Sequence, residues 1–204
     1  MMILNIVLAA CLFHLGCEAT CSIQYRMDLD IHLATYFSDP HASHDCGDIS
    51  TWDVSNVADF NDLFRERTGF NADISNWDTS SVTSMSAAFY KATSFNRDLS
   101  NWVTSRVTNL AATFLRATSF NGDLSNWDTS SVTNMRDTFG YANSFNGDLS
   151  NWDMSSVRTF SGTFDGATSF TGDGLSNWDM SSATDVSYTF NSATSFNADL
   201  SNWD

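Results

Sequence analysis

Tryptophan stands at positions 52, 77, 102, 127, 152, 178 and 203, so the chain returns to the same residue every 25 residues with one single-residue slip. A fixed period of this length marks a repeat architecture, in which no unit can bury its apolar face alone and each does so against its neighbours. Repetition of this kind constrains the fold strongly and the function hardly at all.

The unit from Asn121 to Phe145 represents the others: Asn-Gly-Asp-Leu-Ser-Asn-Trp-Asp-Thr-Ser-Ser-Val-Thr-Asn-Met-Arg-Asp-Thr-Phe-Gly-Tyr-Ala-Asn-Ser-Phe. Six copies run from Gly47 to Asn197, and a seventh begins before Asp204. The single insertion lies in Thr171-Gly172-Asp173-Gly174-Leu175, where two glycines suggest a bulge that leaves the later register intact. Within a unit, Leu124 and Trp127 sit in a short segment flanked by Gly and Ser, which reads as a strand. Val132, Met135, Phe139 and Ala142 follow at i, i+3, i+7 and i+10, the spacing of one helical face, with Ser130-Ser131 before them as N-cap hydroxyls. Phe70, Phe95, Phe120, Phe145, Phe170 and Phe196 place one further ring in each return loop.

The expected fold class is therefore an α/β repeat solenoid, leucine-rich-repeat-like, with one short parallel strand and one short helix per 25-residue coil. Strands of successive units would lie about 4.8 Å apart, and the Leu, Trp, Val, Met and Phe positions would become columns of one core. Sixteen Phe in the chain make this workable, because each buried aromatic ring covers as much surface as the leucines it replaces.

The run Trp127-Asp-Thr-Ser-Ser-Val-Thr-Asn-Met, continued by Thr-Phe and Ser-Phe-Asn and nearly repeated from Trp77, resembles the BspA-like leucine-rich repeat family, catalogued also as a domain of unknown function in mycoplasma surface proteins. The resemblance covers about residues 47–204. It implies a secreted or surface-attached protein, adhesion to protein or glycan, and no catalytic residues. The usual leucine-rich spacing is not followed, since Val132 stands where its asparagine would be.

Residues 1–19 differ from the rest. Met1 to Gly16 is apolar apart from Asn5 and His14, is too short to span a bilayer, and precedes the small residues a signal peptidase reads near Ala19. The domain reading is a signal peptide at 1–19, an N-terminal cap at 20–46 and the repeats at 47–204. Cys11 and Cys17 would leave with the signal, so Cys21 and Cys46 remain as an even pair, expected to form a disulfide that closes the cap. His41, His44 and Cys46, with His32 upstream, form the one metal-like cluster, and the plainer reading is a histidine-rich loop beside a disulfide.

Nine basic residues against twenty-four acidic ones give a formal charge of −15, which disfavours nucleic acid and anionic membranes as partners. Asp48, Asp73, Asp98, Asp123, Asp148, Asp173 and Asp199 form one column; Asp53, Asp78, Asp128, Asp153, Asp179 and Asp204 form a second, broken at Val103. Turn capping by these carboxylates is the favoured reading over Ca²⁺ binding, because one Asp per coil supplies too few ligands. No cofactor is expected. Basic residues lie where the repeats differ, so Lys91, Arg97, Arg116, Arg136, Tyr141 and Arg158, with Arg106, make the candidate binding face. The expected function is a secreted or cell-surface, non-catalytic scaffold for an extracellular protein or glycan. The alternative is a structural solenoid that meets a mineral or ice lattice through threonine rows such as Thr83, Thr108 and Thr133 or Thr93, Thr118, Thr168 and Thr194.

Overall fold

In the computed structural model, residues 23–38 and 46–203 are described. The signal segment, Cys21, His41, His44 and Asp204 lie outside them. One α-helix, α1 (Arg26–Ser38), precedes a stack of 25-residue layers made of turns and coil.

The expected strand-and-helix coil is not what forms. Among the described residues no strand is present beyond isolated parallel bridges, Asp59 to Ser84 to Asn109 to Asn134 to Thr159 to Asp185, one per layer. The segment from Val132 to Ala142 is not helical. Its N–H groups alternate between two directions: Thr138, Gly140 and Ala142 donate three residues back, to Met135, Asp137 and Phe139, while Met135, Asp137, Phe139 and Tyr141 donate to Thr159, Ser161, Thr163 and Asp165 of the next layer at 2.6–3.0 Å. No donor is left for the i→i−4 bonds of an α-helix. Tandem turns bring every third or fourth residue inward, and that spacing imitates the helical period. The expected strand is likewise a turn, with Trp127 N–H on the Leu124 carbonyl at 3.0 Å.

This ribbon requires left-handed backbone. Asp137 and Tyr141 have φ of 54° and occupy the third position of the turns 135–138 and 139–142, where a type II turn needs positive φ. The same pair recurs as Asp62 and Glu66, Ala87 and Lys91, Ala112 and Arg116, Gly162 and Gly166, and Tyr188 and Ser192. Each non-glycine residue there costs about 1–2 kcal/mol. Replacing Ala112 (φ 55°) with glycine is accordingly expected to stabilise the chain by about 0.5–1 kcal/mol, whereas Ala111→Gly, at ordinary φ, destabilises it by a similar amount. Urea titration of the two variants checks the opposite signs.

Aromatic columns fill the core. Phe114 and Phe120 stack within one layer at 4.0 Å, as do Phe139 with Phe145 and Phe164 with Phe170. Between layers, Phe114, Phe139 and Phe164 follow at 5.6 and 5.5 Å, and Trp102, Trp127 and Trp152 at 6.4 and 6.0 Å. Buried polar atoms are satisfied across layers. Trp127 Nε1 donates to the Leu99 carbonyl at 3.0 Å and Trp152 Nε1 to Leu124 at 3.1 Å. Thr138 and Thr163 direct their hydroxyls at the Leu110 and Met135 carbonyls at 3.0 and 2.9 Å. At the insertion, Gly172 and Gly174 take φ of 83° and 86°, and Trp178 Nε1 still reaches the Leu149 carbonyl at 3.1 Å.

Helix α1 closes the first layer. Asp28 accepts from the N–H groups of Tyr25 and Gln24 at 3.0 and 3.2 Å, the reach-back half of a capping box. Leu29 and Leu33, one turn apart, are fully buried. Phe37 meets Phe64 and Phe70 edge-on, and Arg26 Nη1 donates to the Asp59 carbonyl at 3.1 Å.

Candidate functional site

The left-handed positions decide which side chains stand out from the stack. Glu66, Lys91, Arg116, Tyr141, Gly166 and Ser192 occupy one register position in successive layers, each at the third place of its turn. Neighbours in this column pair with one another. Lys91 Nζ lies 3.1 Å from Glu66 Oε1, which raises the lysine pKa, and 5.0 Å from the Tyr90 ring. The Arg116 guanidinium sits 5.0 Å from the centre of the Tyr141 ring. That ring in turn lies over Gly166, where a Cβ would fall 2.6 Å from Tyr141 Cδ1. Glycine at 166 therefore serves both the positive φ and the space the tyrosine takes.

Of the expected binding-face residues, Lys91, Arg116 and Tyr141 are brought into this one column. Arg136 is exposed nearby with Nε 3.3 Å from Asp137 Oδ2. Arg158 replaces the threonine of its column and lines, with Thr133, Ser155, Ser156 and Ser182, a hydroxyl-rimmed groove of about 480 Å³. Arg97 lies apart: its Nε donates to the Asn71 carbonyl at 2.7 Å, and it borders a groove of about 650 Å³ between α1 and the first layer. In that groove Arg67 stacks on Phe37 at 4.2 Å. Two further features were missed in the sequence. Glu66 was not recognised as the acidic end of the column, although its charge opposes that of Lys91 one period away. The recurrent Asn71, Asn96, Asn121 and Asn146 form a ladder in which each Oδ1 accepts the backbone N–H one layer on, at 2.8–3.0 Å.

The aspartate columns are hydrogen-bonded into turns. Asp48, Asp73, Asp98, Asp123, Asp148 and Asp199 each accept the N–H of the serine two residues later at 2.8–3.0 Å. Asp173, beside the insertion, instead accepts the Thr171 hydroxyl at 2.9 Å. Asp53, Asp78, Asp128, Asp153 and Asp179 repeat the serine pattern at 2.9–3.1 Å. The serine backbone N–H is the largest influence that holds Asp48, Asp73, Asp148 and Asp199 below the ordinary aspartate range. At Asp78, Asp128 and Asp179 the serine hydroxyl leads and the N–H follows. Among the described residues, no three His, Cys, Asp or Glu side chains converge as a metal site.

In the threonine rows, Thr83, Thr108 and Thr133 direct their hydroxyls at the preceding layer's carbonyls at 3.1–3.3 Å, and Arg158 interrupts the row. In the cap, Cys46 Sγ lies 3.1 Å from His32 Nδ1, and the other half of the expected Cys21–Cys46 disulfide is outside the described residues. Among the described residues no helix is long and apolar enough to cross a membrane.

Comparison with curated proteins and with solved structures finds no match. One family model does match, over residues 31–149 and again over 120–204, and the overlap of the two spans reflects the internal repeat. Since these spans together take in residues 31–204, the chain belongs to the repeat family described as "Mycoplasma protein of unknown function, DUF285".

Proposed function

We propose that this protein is a non-catalytic binding scaffold, exported or held at a cell surface, whose partner is an extracellular protein or glycan. The observation that supports it is the column Glu66, Lys91, Arg116, Tyr141: one backbone position, left-handed in every layer, carries an acid, two bases and an aromatic ring in succession. A frame of identical layers that varies only its outward side chains is how repeat proteins build extended recognition surfaces. Arginine and tyrosine are also the residues that most often anchor interfaces. The resemblance of the repeats to BspA-like surface proteins supports the same reading, and a Cys21–Cys46 disulfide stapling the cap fits an exported chain.

The test is binding of the purified chain to intact cells and to matrix proteins and glycans, in calcium and in chelator. Saturable binding is expected, unchanged by the chelator and weakened at least about tenfold when Arg116, Arg136 and Arg158 are all changed to Glu. Equal binding by the charge-reversed variant overturns the assignment of this face. Loss in chelator alone would transfer the role to the aspartate columns.

A further inference from the structure

The return loop of the first layer differs from its later copies in what it leaves unbonded. In later layers the N–H groups of Ser94, Ser144 and Ser169 donate to a carbonyl of the layer before at 3.0–3.2 Å. Those of Asn96, Asn121, Asn146 and Thr171 donate to an Asn Oδ1 one layer back at 2.8–3.0 Å. Thr93 Oγ1 likewise donates to the Thr68 carbonyl at 3.2 Å. The first-layer counterparts are the Gly69 N–H, the Asn71 N–H and the Thr68 hydroxyl, and none of the three meets an acceptor among the described residues. The carbonyls beside them are in the opposite condition. Those of Glu66, Arg67, Thr68 and Asn71 already accept from Thr68, Phe70, Ser94 and Arg97 at 2.7–3.0 Å.

These residues line the groove of about 650 Å³ between α1 and the first layer, a volume within the range of roughly 300–1,000 Å³ that small-ligand sites occupy. Two guanidinium groups border it. Arg97 uses its Nε on the Asn71 carbonyl and keeps both Nη groups for another acceptor. Arg67 lies over the Phe37 ring at 4.2 Å, an attraction that holds its charge in place and uses none of its N–H donors. Neither arginine is in an ion pair among the described residues, whereas Glu66, the carboxylate on the rim, has Lys91 Nζ at 3.1 Å. Clustered donors with two unpaired positive charges suit an oxyanion. The facing wall is aromatic, with Tyr36 and Phe37 of α1 both partly exposed.

We infer that this groove binds an acidic sugar unit of an extracellular glycan. Arg67 and Arg97 take its carboxylate or sulfate, Thr68, Gly69 and Asn71 its hydroxyl and ring oxygens, and the aromatic wall its C–H face. An inorganic anion would engage the donors and leave the rings uncovered. A glutamate side chain would bring two acceptor oxygens to five donor groups. A sugar acid supplies both an apolar face and several oxygens. The inference rests on the scaffold reading and specifies its partner as a glycan, but its arginines are not those of the Arg116, Arg136 and Arg158 face.

The experiment is isothermal titration calorimetry of the full chain at about 0.15 M salt, where a screening length of about 8 Å limits repulsion from distant carboxylates. The probes are a hexuronate tetramer, a sulfated hexose tetramer, an uncharged hexose tetramer and tetraglutamate. At least one acidic sugar should bind, and which one distinguishes carboxylate from sulfate; the uncharged sugar and tetraglutamate should bind at least about tenfold more weakly. Arg67→Gln with Arg97→Gln should lower the affinity at least about tenfold. Arg97→Gln alone, which spares the contact of Arg67 with Phe37, should already lower it about threefold or more. Both arginines are exposed, and unchanged circular dichroism and melting verify that the fold survives. Failure of both acidic sugars to bind overturns the inference, as does equal binding of the uncharged sugar or of tetraglutamate, or undiminished binding by the double variant. If these probes fail while cell binding still depends on Arg116, Arg136 and Arg158, the groove is excluded and the scaffold reading stands.

Discussion

Phe139→Ala should cost about 3–5 kcal/mol, the loss for emptying a fully buried aromatic site. Phe139 has no exposed surface; it stacks on Phe145 at 4.0 Å, contacts Phe114 and Phe164 at 5.6 and 5.5 Å, and leans on Trp152 at 6.0 Å. It belongs to two kinds of contact at once, within its layer and between layers. Removing it therefore weakens the coupling of the layers before it to those after it, and in a repeat array that coupling is what makes unfolding concerted. Denaturant unfolding followed by tryptophan fluorescence should show a lower midpoint and a broader, or divided, transition. Phe196→Ala, at the half-covered end of the other phenylalanine column, should lose distinctly less. Equal losses at the two positions would mean that the columns do not carry the stability of the stack.

Acidification is expected to lower the stability of the protein, although it discharges a strongly acidic chain. Asp48, Asp73, Asp78, Asp128, Asp148, Asp179, Asp185 and Asp199 are all held below the ordinary aspartate range by the N–H and hydroxyl of a serine two residues on. Such a carboxyl gives up its proton more readily in the folded chain than in the unfolded one. Its contribution is complete above the unfolded pKa and is lost as pH falls through the lower, folded value. The melting temperature should stay level from pH 7 to about 5 and decline below about 4, where the unfolded chain takes up protons first. Like-charge repulsion between columns would produce the opposite slope, a protein that gains stability as its aspartates are neutralised. A melting temperature that rises between pH 5 and 3 would show that repulsion outweighs the turn hydrogen bonds. Each shifted aspartate has its serine partner in the same turn.

Aspartate-to-serine spacing in the sequence was enough to anticipate turn capping, because that bond closes within three residues and needs no tertiary partner. The ladder of Asn71, Asn96, Asn121 and Asn146 was equally visible as a repeat, yet its role was not, since each Oδ1 bonds to a residue 25 positions away. The same distinction explains the binding face. Lys91, Arg116 and Tyr141 stood out as variable positions, but that they share one column, and share it with Glu66, follows from backbone geometry that a list of differences does not contain.

What the amino-acid sequence determined by itself is the 25-residue period, the apolar columns that face inward and the local turn caps, all of which depend on spacing along the chain; that Thr113, Thr138 and Thr163 are buried beside them depends on carbonyls of the preceding layer. Whether inward spacing of three and four residues means a helix was decided only by the tertiary structure. An isolated Val132–Ala142 segment could direct its N–H groups along its own axis. In the stack, carbonyls of the adjacent layer take every second one at 2.6–3.0 Å, and the left-handed residues at 137 and 141 are the conformational cost of turning those groups outward.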